Sequence, residues 1–457
     1  MKFQSLWIGG IYFLILLIVA LSIRDIPQQP DATNATLYNM YKTLKIQDPS
    51  SFATAAIDVY ETGWIRPENR WIFNLWPPGF IILEAFLVKL LGADAPIILI
   101  LQICTALLFS VAFLCFYDFL SKFVPKKFSF FLPFVIIVFP TFRFFLLQPI
   151  GVILGESFSI GFFLLAIFMA FRSVECRLMR FAVISGIFIA LSAYFRSQFE
   201  IVVIALTIFG GGIWVGLRIL KNRMDPCVTK FVLKTIGVIL VIVHIAMFPW
   251  RVYNWADQGS LGWVQTSVLT ARNSVLTSEH LLSVGGEFVV KGAGNLTCRI
   301  DGATCGNTEN ARELFINTFL NYPLKWYSLK FEAIGEFWFS SLNTWLEDNP
   351  QTTYFSDLSD WFFLVALVVL FVLLFSRKVK SNEVWLVLVW FNLSLFSAYV
   401  LIFSLAHFEY RYFYFPKLLI VIMTIVLAAL RFGEMAGVNE PVLEKNRKAH
   451  EYGSSGY

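Results

Sequence analysis

Charge is what this chain has least of. Only 15% of its 457 residues are Asp, Glu, Lys or Arg, against about 25% in an ordinary soluble chain. That is too little to clothe a water-facing surface of this length. With 58% hydrophobic residues and a mean hydropathy of +0.69, composition alone implies a polytopic membrane protein. Also missing are a phosphate-cradling P-loop, a dinucleotide-type glycine turn and a paired-cysteine metal motif, so no nucleotide site is legible. The net charge of +5 is scattered through short loops and not gathered on one face, which argues against a nucleic-acid partner.

What the chain does have is long apolar runs and 49 phenylalanines. The first run, Leu6 to Ile23, is long for the core of a signal peptide. It is followed by Arg24-Asp25-Ile26-Pro27 instead of a small-residue cleavage site, so it is expected to stay as a helix. A span needs about 20 mostly apolar residues. That rule gives an all-α bundle of about ten transmembrane helices, near 5–23, 97–120, 128–147, 158–172, 181–195, 200–218, 231–249, 360–376, 384–404 and 414–431. The run Phe80 to Leu91 is short, follows Pro77-Pro78-Gly79 and carries Glu84 and Lys89. It is expected to lie at the interface or to re-enter, not to span. With it left out, Lys2, Lys122/Lys126/Lys127, Arg172/Arg177/Arg180, Lys221/Arg223/Lys230, Arg377/Lys378/Lys380 and Lys445/Arg447/Lys448 all fall on one side, the cytoplasmic one by the positive-inside rule.

Two large loops, 24–96 and 250–359, then face outward. The expected organisation is a catalytic transmembrane module over 1–249 that includes the first loop, an outer loop with amphipathic helices over 250–359, C-terminal spans over 360–431 and a disordered tail over 432–457. Within the outer loop, Glu309 to Trp345 has apolar residues at helical spacing, as in a lid lying on the membrane face. Cys298 and Cys305 share that loop and are either a disulfide staple or two free thiols.

Ionisable groups at helix ends in a membrane are costly and are candidates for function. With this topology Asp31, Glu84, Arg143, Glu156, Arg196, Glu200, Arg251, His407, Glu409, Arg411 and Lys417 all gather at the outward face. His244, in mid-helix, is expected to be buried polar packing. Trp64, Trp71 and Trp76 suit either a sugar-stacking surface or an interfacial aromatic belt.

In order along the chain, several stretches resemble one group. Asp31-Ala-Thr-Asn-Ala-Thr-Leu-Tyr38 is similar to an acidic motif after the first helix. Trp76-Pro-Pro-Gly-Phe80 resembles a Pro-Pro-Leu segment. Phe139-Pro-Thr-Phe-Arg143 through Gly155-Glu-Ser157 is similar to a Ser-Pro…Ser-Glu-Pro stretch. Ala193-Tyr-Phe-Arg196, Asn321-Tyr-Pro-Leu-Lys325 and Arg411-Tyr-Phe-Tyr-Phe-Pro416 match later motifs. The group is the GT-C fold glycosyltransferases that use polyprenyl-phosphate sugars, including protein O-mannosyltransferases and the lipid A aminoarabinose transferase. Ala32 stands where a second acid is usual, Ser157 and Ser197 where proline is.

The resemblance implies an enzyme of the cell envelope, in the plasma (bacterial inner) membrane, with its active site on the extracytoplasmic side. It would move a sugar from a polyprenyl-phosphate donor to an acceptor hydroxyl on a glycan, lipid or protein. The chemistry needs a carboxylate to take the acceptor proton, and Asp31 is the candidate. It also needs positive charge on the phosphate leaving group. Glu156 either orients the acceptor, shares a divalent cation (Mg or Mn) with Asp31, or caps its helix. Arg196, Arg251 and Arg411 are the candidate phosphate partners, with His407, Glu84 and Trp76 as further substrate-binding groups. The rival classes are a lipid or lipid-linked-sugar flippase, which should carry ionisable groups near mid-membrane, and a polysaccharide polymerase or ligase.

Overall fold

Runs of Leu, Ile, Val and Phe with few breakers leave the backbone one way to satisfy its polar groups away from water, and every regular element among the described residues is helical. The computed structural model describes residues 3–22, 34–39, 47–122, 124–196, 199, 226–258, 320–325, 327–328, 331, 350–375, 393–394, 396–397 and 414–435. The expected spans 200–218 and 384–404, most of the 309–345 lid, Cys298, Cys305 and the tail past 435 lie outside them.

Helix α1 is Phe3–Ser22. The stretch expected to form the first large loop is helical over much of its described length, with α2 (Gln47–Thr62), α3 (Arg70–Leu75) and α4 (Gly79–Leu91). Helix α5 (Ile97–Leu120) spans the length predicted for it. The single helix expected over 128–147 is instead broken into α6 (Lys126–Phe131), a 3-10 turn, α7 (Val135–Val138) and α8 (Pro140–Leu147), with a bend of 88° at Phe139. Pro140 is the cause. Without an N–H, and with a ring that collides with the preceding turn, it can start a helix but not continue one. A short α9 (Pro149–Ile153) leads to α10 (Glu156–Cys176) and α11 (Met179–Phe195). The long α12 (Pro226–Gln258), α13 (Pro350–Phe375) and α14 (Tyr414–Met435) complete the described set.

Among the described residues, four helices are long and apolar enough to cross a membrane, or five if the bent pair is one span. Helices α11, α13 and α14 add shorter apolar stretches. Large apolar side chains remain exposed along α1 (Leu6, Leu14, Ile18), α12 (Val241, Ile245, Phe248) and α13 (Val365, Val369). Such stripes suit a lipid surround and would be a liability in water.

Polar contacts fix which helix ends lie together. Gln102 on α5 donates from Nε2 to the carbonyls of Ala20 and Leu147, at 3.3 and 3.0 Å, joining the ends of α1 and α8. At the opposite end Lys122 pairs with Glu175, and Arg172 with Asp118 at 3.1 Å. Between α10 and α11, Ser159 and Ser192 each donate to the other's carbonyl, at 2.8 and 2.7 Å. Small residues with hydrogen bonds of this kind let helices approach where no hydrophobic force separates protein from lipid. The end bearing Ala20, Leu147, Glu156, Phe195 and the 34–96 segment is the loop end, where the candidate site lies.

Candidate functional site

The site is built where three segments distant in sequence touch. Pro77-Pro78 ends the loop and Gly79 opens α4 against the end of α11. A Cβ on Gly79 would stand 2.5 Å from the Tyr194 carbonyl oxygen, so only glycine permits the approach. The next residue, Phe80, packs on Phe158 and Phe195 at 6.0 and 6.3 Å between ring centres. Gly155 caps α10 with φ +78, the left-handed region that favours glycine, and a Cβ there would meet Phe80 at 3.1 Å. The motif stretches 76–80, 155–157 and 193–196 therefore form one junction.

At that junction Arg196 and Glu156 form an ion pair of 2.6 Å, with Glu156 wholly buried and Arg196 6% exposed. Arg196 also donates to the Leu154 carbonyl at 2.5 Å. Glu156 occupies the first turn of α10, where the helix dipole favours an acid, and its carboxylate meets the guanidinium. Phe52 of α2 lies over the Arg196 guanidinium at 5.7 Å. Trp76 meets Phe52 edge-on at 5.2 Å and 88°. Trp76, Arg196 and Glu156, three of the residues predicted from sequence, are thus brought together through Phe52, which was not.

Of the two acids expected to share a divalent cation, Asp31 lies outside the described residues and Glu156 is paired with Arg196. The Arg196 guanidinium already supplies the positive charge there, and no group of three or more His, Cys, Asp or Glu suited to a metal occurs among the described residues.

Glu84, expected among the substrate-binding groups, is packed inward. It lies on the inner face of α4, with Phe80, Ile81, Ala85 and Val88, and is wholly buried. Neither carboxyl oxygen has a hydrogen-bond partner, and desolvation pushes its pKa well above the ordinary 4.5. The opposite face of α4 presents Ile82, Phe86 and Leu90 outward, as expected of a helix lying in an interface.

Arg251 stands on α12, where it donates from Nη1 to His244 Nδ1 at 2.8 Å. His244 is exposed on its helix, not buried as expected. One helical face carries both because seven residues are two turns. Asp31, Arg411, His407, Glu200 and Glu409 lie outside the described residues. The described chain resumes just past Asp31 and is tied to the loop end. The Ala35 carbonyl accepts from the Ile97 N–H at 3.1 Å, and the Tyr38 hydroxyl donates to Glu61 at 2.8 Å.

Two acids escaped sequence reasoning. Asp58, 2% exposed, accepts from the Arg66 N–H at 3.1 Å and Asn69 Nδ2 at 2.8 Å, and pairs with Arg66 Nε at 3.3 Å. It holds the loop between α2 and α3. Asp360 on α13 meets Lys417 on α14 at 2.6 Å with both side chains fully buried. The signal for that pair was present. In the sequence both residues stand where long apolar runs begin, and an unpaired charge there is costly.

No family model, curated protein or solved structure matches this chain. Among the described residues, fold and site define an all-helical arrangement with several helices able to cross a membrane, and a buried acid–arginine pair at its loop end.

Proposed function

We propose that the chain is an integral-membrane glycosyltransferase with about ten spans, moving a sugar from a polyprenyl-phosphate donor to an acceptor hydroxyl outside the cytoplasm. The observation that carries this reading is the junction of residues 76–80, 155–157 and 193–196 around the Glu156–Arg196 pair. Those are the stretches that resemble GT-C motifs, and separate helices deliver them to one end of the bundle. In this reading Asp31 takes the acceptor proton, and Arg196 and Arg251 offer guanidinium donors to the phosphate. Glu156 holds Arg196 in place. The chain three residues past Asp31, at Asn34, is within reach of this end because Ala35 is bonded to Ile97.

A flippase is the second reading, favoured by Asp360–Lys417 and Glu84, which are ionisable groups buried within the helical packing. The two are separated by supplying the purified chain with radiolabelled polyprenyl-phosphate sugars and a hydroxyl acceptor. Turnover that Asp31→Asn abolishes in a folded protein supports the transferase. Movement of intact donor across a vesicle membrane, with no sugar transferred, supports the flippase.

A further inference from the structure

We infer that the segment Glu61 to Trp71 is a carbohydrate-binding platform, on which Trp64 and Trp71 stack against pyranose rings of the acceptor. Its role as an acceptor subsite rests on the transferase reading; its binding of sugar does not.

Each of the two indoles is 43% exposed. Neither is loose. Trp64 is backed by Phe73 and Tyr253, both at 5.5 Å between ring centres, and Trp71 by Trp76 at 6.3 Å. The backbone beneath them is fixed as well. Gly63 turns the chain with φ +82, Thr62 Oγ1 donates to the Trp64 carbonyl at 2.5 Å, and Asp58 holds Arg66 and Asn69 from below. An exposed aromatic that is already ordered loses little freedom on binding.

The side chains around the indoles decide what they would bind. Arg66, 41% exposed, is held by Glu61 at 2.5 Å, and Arg70, 52% exposed, by Asp257 at 3.3 Å. These pairs fix charged donors and acceptors on residues close to the indoles in sequence, as hydroxyl groups require. A pyranose has an apolar C–H face and a hydroxyl rim, and so matches an indole bordered by fixed ion pairs. Here Glu61, Arg66, Glu68 and Arg70 crowd one short stretch of a chain that is only 15% charged. The platform also leads to the proposed site, since Trp71 touches Trp76, Trp76 touches Phe52, and Phe52 covers Arg196.

The test is saturation-transfer NMR on the full chain in lipid nanodiscs, with maltotriose, chitotriose and mannotriose as probes. At least one trisaccharide is expected to receive saturation from the wild type. Trp64→Ala and Trp71→Ala should weaken its binding about tenfold, a factor equivalent to ~1.4 kcal/mol, whereas Trp64→Phe and Trp71→Phe keep most of it. The phenylalanine variants guard against a loop that fails to fold. Trisaccharide binding is scored with no lipid-linked donor present, so loss of transfer and loss of platform binding are read separately. No saturation of any of the three, or equal saturation in both alanine variants, overturns the inference. Quenching of Trp64 and Trp71 emission by brominated lipid would then identify the segment as a lipid anchor.

Discussion

Glu156 and Arg196 come from opposite ends of a helical hairpin in sequence, the start of α10 and the residue after α11, yet stand 2.6 Å apart with almost no exposure. Removing one partner of such a pair strands a buried charge, at a cost of about 3–5 kcal/mol. Arg196→Met and Glu156→Gln are each expected to lower the thermal midpoint in detergent. The double variant should lose clearly less than the sum of the two. Strict additivity would mean that the two charges do not compensate each other.

The same logic applies to Asp360 and Lys417, which tie α13 to α14 with both side chains fully buried. Lys417→Met should cost about 3–5 kcal/mol, and Asp360→Leu combined with Lys417→Met should recover most of it, because apolar replacements need no desolvation. Denaturation of the four proteins in one double-mutant cycle checks this.

Glu84 gives a pH dependence of known sign. Burial raises its pKa well above 4.5 in the folded protein. Below about 4.5 both folded and unfolded states hold the proton, and its contribution is complete. As pH rises from there towards the folded pKa, only the unfolded state releases the proton, so stability falls, by up to about 1.4 kcal/mol per pH unit. Glu84→Leu should remove this slope and raise the midpoint at neutral pH. Thermal scans across pH 4 to 8 (about the range where carboxylates and shifted carboxylates titrate) compare the two proteins. A wild type no steeper than the variant would place Glu84 in a hydrated setting.

Gly79 has no room for a side chain. Alanine there would bring its Cβ to 2.5 Å from the Tyr194 carbonyl oxygen, and the backbone on both sides must shift. Gly79→Ala should destabilise by about 1–3 kcal/mol and loosen the junction of α4 with α11. Proteolysis near residues 76–80 reports that loosening. Gly92→Ala is a poor control because its own φ is +99, whereas Gly10→Ala meets nothing within 4 Å and should be close to neutral.

How far the sequence carried can be seen residue by residue. Apolar runs located α1, α5, α10, α11, α12, α13 and α14 because length and hydropathy decide a span. They did not find the break at Phe139, although Pro140 was the visible cause. Helix α2 escaped notice because alanines and polar residues make up most of it, and the apolar side chains it buries are Phe52 and three alanines, Ala53, Ala55 and Ala56. That omission hid Phe52, which covers Arg196, and Asp58, which holds the loop between α2 and α3. Pairing was less legible than position. Arg196 and Glu156 were each singled out at the outward end, but only packing shows that they spend their charges on each other. His244 looked like a core residue from its place in mid-helix, and periodicity alone did not reveal which face it takes.

The most direct measurement of the central claim is sugar transfer by the purified full chain from radiolabelled polyprenyl-phosphate donors to a hydroxyl acceptor. Wild type, Asp31→Asn and Glu156→Gln are assayed side by side after each is shown to be folded. The account predicts transfer by the wild type, loss of at least about a hundredfold in Asp31→Asn, the size expected for a general base, and a clear loss in Glu156→Gln through a misplaced Arg196. Undiminished transfer in Asp31→Asn would contradict the role given to that acid. No transfer from any donor, with intact donor carried across the membrane, would contradict the transferase itself.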